Sequence, residues 1–305
     1  MDFRRLRYFL TVAEHGHITR AAECLGMQQP PLSHQMRMLE TEVGAALFRR
    51  HPKGVQLTET GRLLQKEATR LLDDLDALQA RMQAFVRGES GLLQVGFTSS
   101  AAMHALTPAA LRLVRQRHPD IRLEVREDNA ADVTEAVRAG ALNCGFIRVA
   151  VSRPIGLAFE ELLDEDAVVA IPVAHALARQ PQRPMSLQDL EGETLILVRR
   201  PGAPGLYANL LALCEREGVQ VHIGAEVDRM MTNVNLVAAG AGLSVLPASM
   251  SMVHTGSVVY RRINPTVPLR APLTMVYRSD DCAGPTATFM AIAREVARHS
   301  ERVNT

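Results

Sequence analysis

Three groups of residues in this chain have types and spacings that could do chemistry. The first is Gln29, Pro30, Pro31, Ser33, His34, Gln35 and Arg37, in the run QPPLSHQMR. Amides, a hydroxyl, an imidazole and a guanidinium can pair with donors and acceptors on base edges. The second is Arg49, Arg50, His51 and Lys53 around Pro52 and Gly54. Clustered cations neutralise phosphates, which gives affinity rather than sequence choice. The third is Thr98, Ser99 and Ser100, with Asp128, Asn129, Arg148 and the loop RRPGAPG at 199–205, which contains Pro201 and Gly202. Hydroxyls, an amide and a guanidinium suit a small anion, which Arg148 could clasp in two-pronged fashion.

Catalytic sets are missing from the sequence. No GxSxG, GxGxxG or Walker-type GxxxxGK[ST] occurs, and the ten histidines are dispersed without HExxH. His104 follows Ser99 and Ser100 by five and four residues but has no evident orienting acid, so it reads as a polar pocket or surface residue. GAGLSVL at 240–246 lies between a helix and a strand, the reverse of a phosphate-binding loop, and reads as a tight turn. Cys24, Cys144, Cys214 and Cys282 are scattered, so neither a metal site nor a disulfide framework is expected. Cys24 and Cys144 read as small core residues. The expectation is a binding protein, not an enzyme, with no cofactor.

The elements that must position the first group are short helices. Phe3, Leu6, Phe9, Leu10 and Ala13 recur at helical spacing, so residues 3–15 form an amphipathic helix. Residues 18–25 form a second helix with Ala21, Ala22 and Leu25 inward, ended by Gly26. Pro30 and Pro31 fit only a first helical turn, which starts a third helix near Gln29. Leu32, Met36 and Leu39 are its buried stripe. That is a helix-turn-helix, whose second helix enters the major groove. Residues 47–57 read as a hairpin with the cationic cluster at its tip, the wing of a winged helix-turn-helix. Arg4, Arg5, Arg7 and Arg20 are further phosphate candidates.

Thr58 caps a long helix over 58–87. Leu64, Ala68, Leu71, Leu75, Leu78, Met82 and Phe85 are spaced alternately 4 and 3, an a/d seam. This predicts a coiled-coil linker that dimerises the chain, pairing two reading heads on a palindromic double-stranded DNA site. GESG at 88–91 reads as a hinge.

Strands at 92–97, 121–126 and 143–147 alternate with helices at 106–117 and 131–139. A second set follows: strands at 167–171, 194–198, 221–223 and 243–246, with helices near 206–217 and 230–239. A strand at 273–277 and a helix at 286–299 close the chain. Such alternation predicts parallel sheets with helices on their faces. The fold class is α+β multidomain: a winged helix-turn-helix over 1–57, a linker helix and hinge over 58–90, and a two-lobed α/β domain over 91–305. Lobe one covers about 91–163 and 268–299, lobe two about 164–267. Ligands of such sheets sit at the carboxyl ends of strands, which selects the third group above.

The 305 residues suffice for two or three domains, and 47% hydrophobic with 22% charged is ordinary for a folded protein. Net charge is +1, but residues 1–66 hold ten Arg or Lys against six acids, a local +4 that suits a polyanion. Asp2 and Arg4 open an amphipathic helix, not a signal peptide, and no run approaches the roughly 20 apolar residues of a membrane span. No membrane partner and a cytoplasmic location are expected.

The motifs AAECLGMQQPPLSHQMRMLE, LFRR with KGVQLTETG, and GLLQVGF resemble the LysR-type transcriptional regulators. The resemblance covers the whole chain and is most specific over 3–66. It implies a periplasmic-binding-protein-like effector domain, a dimer of dimers (a homotetramer), RNA polymerase as a partner and a small organic acid as effector. By it, Ser99 or Ser100, Asn129, Arg148 and the Pro201–Gly202 loop align with effector contacts in the branch answering to aromatic-catabolism acids. His34 stands where the family very often has arginine. Gln28 replaces a common capping serine, weakening a cap by about 1 kcal/mol or less. Two other readings stay open: a constitutive DNA-binding module, and a solute-binding protein or enzyme with a basic appendage.

Overall fold

The computed structural model describes residues 1–148, 153–179, 184–198, 205–264, 268–281 and 283–303. Two compact units divide at Gln83/Ala84.

The first unit opens with α1 (Phe3–His15), α2 (Ile18–Cys24) and α3 (Gln29–Val43). The Asp2 carboxylate accepts the Arg5 N–H at 2.8 Å and starts α1, and Gly16 ends it in the left-handed conformation. Leu6, Phe9, Ala21, Ala22, Leu32, Met36 and Leu39 are buried together, the three-helix core expected from their spacing, and Val12, which the spacing did not single out, joins them. Phe3 departs from that stripe and is exposed. Cys24 is also exposed, a correction: Ala21 and Ala22 occupy the inward face of α2, and Cys24 falls on its outer side. Both prolines of α3 sit in its first turn, and Gln28 makes no side-chain cap.

Strands β1 (Phe48–His51) and β2 (Gly54–Leu57) pair antiparallel as the wing. Its base is held twice. The Glu40 carboxylate accepts the N–H groups of Leu47 (2.8 Å) and Phe48 (3.2 Å). The Val55 N–H donates to the Gly16 carbonyl at 2.8 Å. Gly54, at φ +133°, lies so close that a Cβ would overlap that same carbonyl oxygen, so only glycine fits.

Thr58 caps α4 (Glu59–Val86), its hydroxyl accepting the Gly61 N–H at 2.9 Å. The structure divides the expected seam. Ala68 and Leu72 are buried, with Leu64 and Leu75 packed beside them, in the core of their own winged domain. Leu71, Leu78 and Met82 are 47%, 48% and 56% exposed. Phe85 belongs to the second unit, where it lies against Gly91 and Gly284. A heptad pattern records apolar spacing, not which surface covers it, so one continuous seam from Leu64 to Phe85 is corrected to a two-sided helix.

The second unit runs β3 (Gly91–Phe97), α5 (Ser99–Met103), α6 (Leu106–Arg117), β4 (Ile121–Glu127), α7 (Ala130–Arg138), β5 (Cys144–Ile147) and β6 (Leu157–Leu163). It continues with β7 (Ala167–Pro172), β8 (Thr194–Val198), α8 (Leu206–Glu217), β9 (His222–Val227), α9 (Met230–Ala238), β10 (Ser244–Pro247), β11 (Val258–Arg262), β12 (Leu273–Arg278) and α10 (Gly284–Val303). One sheet has the order β4-β3-β5-β12-β6. The others are β10-β7-β11 and β8-β9, joined by a parallel bridge between Leu195 and Leu243. The second lobe therefore repeats the strand order of the first. Each lobe has its own apolar core, one around Phe97, Phe146 and Phe289, the other around Ile171, Leu197 and Leu246.

The chain passes between lobes twice, after β6 and before β12. These passages pair with each other: Ala167 N–H donates to Leu269 C=O at 3.2 Å, and Ala271 N–H to Glu165 C=O at 2.9 Å.

Candidate DNA-reading face and ligand cleft

On α3, Leu32, Met36 and Leu39 are turned into the core, which forces the residues between them outward. Gln29, Pro30, Pro31, His34 and Arg37 are exposed, and Ser33 and Gln35 half-buried. Arg49, Arg50, His51 and Lys53 are all exposed on the wing, where Arg49 bonds Gln56 Oε1 at 3.2 Å. Two phosphate candidates are already engaged: Arg5 is ion-paired with Glu42, and Arg7 reaches Asp76 at 3.3 Å. Arg4 and Arg20 are exposed.

In the second unit a cleft of ≈ 150 Å³ lies between the lobes. Thr98, Ser99, Ser100, Asp128, Asn129 and Arg148 all line it, so six of the eight selected residues converge there. Pro201 and Gly202 lie outside the described residues. The first turns of four helices meet at the cleft: α5 and α7 from lobe one, α8 and α9 from lobe two. Thr98 caps α5, accepting the Ala101 N–H at 3.4 Å, and Asn129 caps α7, accepting from Asp132 at 3.0 Å. Helix N-termini carry partial positive charge and suit anions. The rest of the lining includes Val198, Leu206, Met230, Pro247 and Ala271.

Arg148 is present but does not offer the free clasp expected of it. Its guanidinium is 2.5 Å from Glu165 Oε1 and donates to the carbonyls of Ala271 and Ser100 and to Ser249 Oγ, each at 3.0 Å. Ser249 in turn holds Glu165 through its N–H (2.8 Å) and hydroxyl (2.9 Å). Burial lowers the Arg148 pKa, and Glu165 opposes that shift. Because β5 ends in the domain core, the cation needs an internal counterion, and Glu165 supplies it.

Beneath the cleft, the Tyr207 hydroxyl is 3.2 Å from Ser244 Oγ, which donates to Ile196 C=O at 2.7 Å. Asn233 reaches the same carbonyl at 2.9 Å. Burial pushes the Tyr207 phenol up, so it stays neutral and serves as a fixed hydrogen-bonding floor. His104 is no triad member: its Nδ1 accepts the Leu106 N–H at 3.1 Å at the start of α6, and burial lowers its pKa.

Sequence reasoning missed Tyr207, Met230 and Arg229. Arg229 was accessible to the rule that chose Asn129. Both occupy the N-cap position of the helix after the equivalent strand of their lobe, β4 for Asn129 and β9 for Arg229.

The model of the LysR substrate binding domain matches residues 87–298, and that of the bacterial regulatory helix-turn-helix protein, lysR family, matches residues 3–62. The chain belongs to the LysR family. This LysR-type regulator is 32% identical to the regulator TfdS of Cupriavidus pinatubonensis, over 96% of this chain and 98% of that one. It is 32% identical to the Hca operon transcriptional activator HcaR of Escherichia coli, over 97% and 98% of the two chains. It resembles the solved structure of full-length CbnR complexed with its target DNA, with TM-score 0.78 and 27% identity, covering 97% of this chain and 100% of that one. The protein is thus a DNA-binding transcription regulator with an effector-binding domain, not an enzyme. Among the described residues no helix is long and apolar enough to cross a membrane.

Proposed function

We propose that this regulator is switched by a small organic anion, a carboxylate, held between the two lobes of residues 91–305. The observation that carries the reading is the 150 Å³ cleft at which four helix N-termini meet. Thr98, Ser99, Ser100 and Asn129 supply its polar wall, and Pro201 and Gly202 are assigned as further ligand contacts. The ligand shifts the lobe arrangement only by its differential affinity for the two states.

On the DNA side, Gln29, Ser33, His34, Gln35 and Arg37 read bases while Pro30 and Pro31 set the entry of α3. Arg49, Arg50 and Lys53 hold phosphates. The target is a palindromic double-stranded promoter site, read in the cytoplasm beside RNA polymerase. Pairing of chains is assigned to Leu71, Leu78 and Met82, because Leu64, Ala68 and Leu75 already serve their own domain. A second pairing, through the effector domains, makes the dimer of dimers.

The test is a footprint of the full-length protein on DNA upstream of its own gene, with and without a panel of organic acids. A changed footprint length or bend with one acid supports the reading. Acids that leave both the footprint and the melting temperature unmoved overturn it.

A further inference from the structure

We infer that Arg229, not Arg148, is the cation that meets the anionic end of the ligand, by leaving its partner Asp128 on the opposite lobe. The inference rests on the reading of the cleft as the effector site.

Arg229 Nη2 lies 3.2 Å from Asp128 Oδ1, and Nη1 lies 3.9 Å from Glu127 Oε1. Asp128 and Glu127 belong to lobe one and Arg229 to lobe two, so this ion pair spans the cleft that Asp128 and Arg229 both line. The pair is built to be exchanged. Asp128 keeps two other partners: Arg126 at 2.7 Å and the Asn129 N–H at 3.1 Å. Its carboxylate stays satisfied when Arg229 leaves. The Arg229 side chain is itself 47% exposed, and an exposed ion pair is weak.

The helix ends point the same way. In lobe one, side chains of Thr98 and Asn129 already satisfy first-turn N–H groups. In lobe two, the N-cap residues are Gly205 on α8 and Arg229 on α9, and neither makes a side-chain cap. A cation at the positive end of α9 needs an anion beside it, a place that Asp128 fills across the cleft and that the ligand would take over. Lobe two is therefore the anion-receiving side. Asp228 lies on the same wall and disfavours a second negative charge, while Leu206, Met230 and Pro247 suit an apolar body. The ligand class is a compact monocarboxylate.

The experiment titrates the full-length protein with benzoate and hexanoate, and with benzamide and succinate as neutral and dianionic counterparts. Thermal shift and calorimetry give the readout, and circular dichroism confirms that each variant is folded. The monocarboxylates should bind and the counterparts should bind more weakly. Arg229→Gln should weaken binding about tenfold or more, and Arg229→Lys should recover part of the loss. Asp128→Asn should tighten binding, because it releases Arg229. A merely structural pair would give both variants the same sign. Equal binding by Arg229→Gln, or weaker binding by Asp128→Asn, overturns the assignment. If benzamide binds and the carboxylates do not, the anion role fails but the cleft reading stands. If none of the four binds, both fail.

Discussion

Glu165 Oε1 lies 2.5 Å from the Arg148 guanidinium, at the point where the chain crosses between lobes. Glu165 is on the first passage, and Ala271, whose carbonyl also takes an Arg148 N–H, is on the second. One guanidinium thus ties the end of β5 to both connections. Such a tie holds the two connections together beside the cleft that Arg148 lines.

Removing one member of this pair strands a buried charge. Arg148→Ala should destabilise the effector domain by about 3 kcal/mol, and Glu165→Gln should do so to a lesser degree. Chemical denaturation of the full chain checks both. A change below about 0.5 kcal/mol for Arg148→Ala would show the pair to be exposed or redundant.

The wing depends on a residue that has no side chain. Gly54→Ala should cost about 2 kcal/mol or more, because its Cβ meets the Gly16 carbonyl and its φ is one that L residues rarely adopt. DNA affinity should fall with it, measured by fluorescence anisotropy alongside the melting curve.

The two faces of α4 should separate cleanly. Leu78→Asp or Met82→Asp should dissociate the oligomer in sedimentation while the melting of the winged domain stays put. Leu72→Asp should instead unfold that domain, since Leu72 is buried in it. Unaltered oligomers in both exposed-face variants would remove α4 as the pairing surface.

The lobe-to-lobe contact should be acid-sensitive. Arg126, above all, holds the Asp128 carboxyl below its usual range, helped by the Asn129 N–H and by Arg229. A lowered carboxyl stabilises fully above its ordinary pKa of about 3.9 and loses that contribution as pH falls through the lowered value. Hydrogen exchange at residues 127–131 and 227–231 should therefore be flat from pH 7 to about pH 4.5, after correction for intrinsic rates. It should rise below about pH 4.

Much of this was legible in the amino-acid order because the signals are local. Pro30 and Pro31 fix the start of α3, Thr58 fixes the start of α4, and the 3-and-4 spacing of Leu32, Met36 and Leu39 fixes which face looks out. The strand-end rule brought Thr98, Ser100 and Asn129 to one cleft although up to 31 positions separate them. What stayed hidden depends on partners distant in sequence. Nothing near Arg148 announces Glu165, 17 positions on, or Ser249, 101 positions on. Likewise β6 and β11, with their mixed apolar and charged runs FEELL and VVYRR, read poorly as strands. Both are held by long-range antiparallel pairing with β12 and β7.

The proposed division of labour gives base reading to α3 and the grip on phosphates to the wing. The most direct measurement is affinity for DNA upstream of the protein's own gene against salt, for the wild type, Lys53→Ala and Gln29→Ala. Lys53→Ala should weaken binding to all sequences alike and flatten the salt slope by about 1. Gln29→Ala should keep the slope and lose about 1–3 kcal/mol of preference for the specific site over a scrambled one. Identical slopes for wild type and Lys53→Ala, with unchanged site preference in Gln29→Ala, would contradict it.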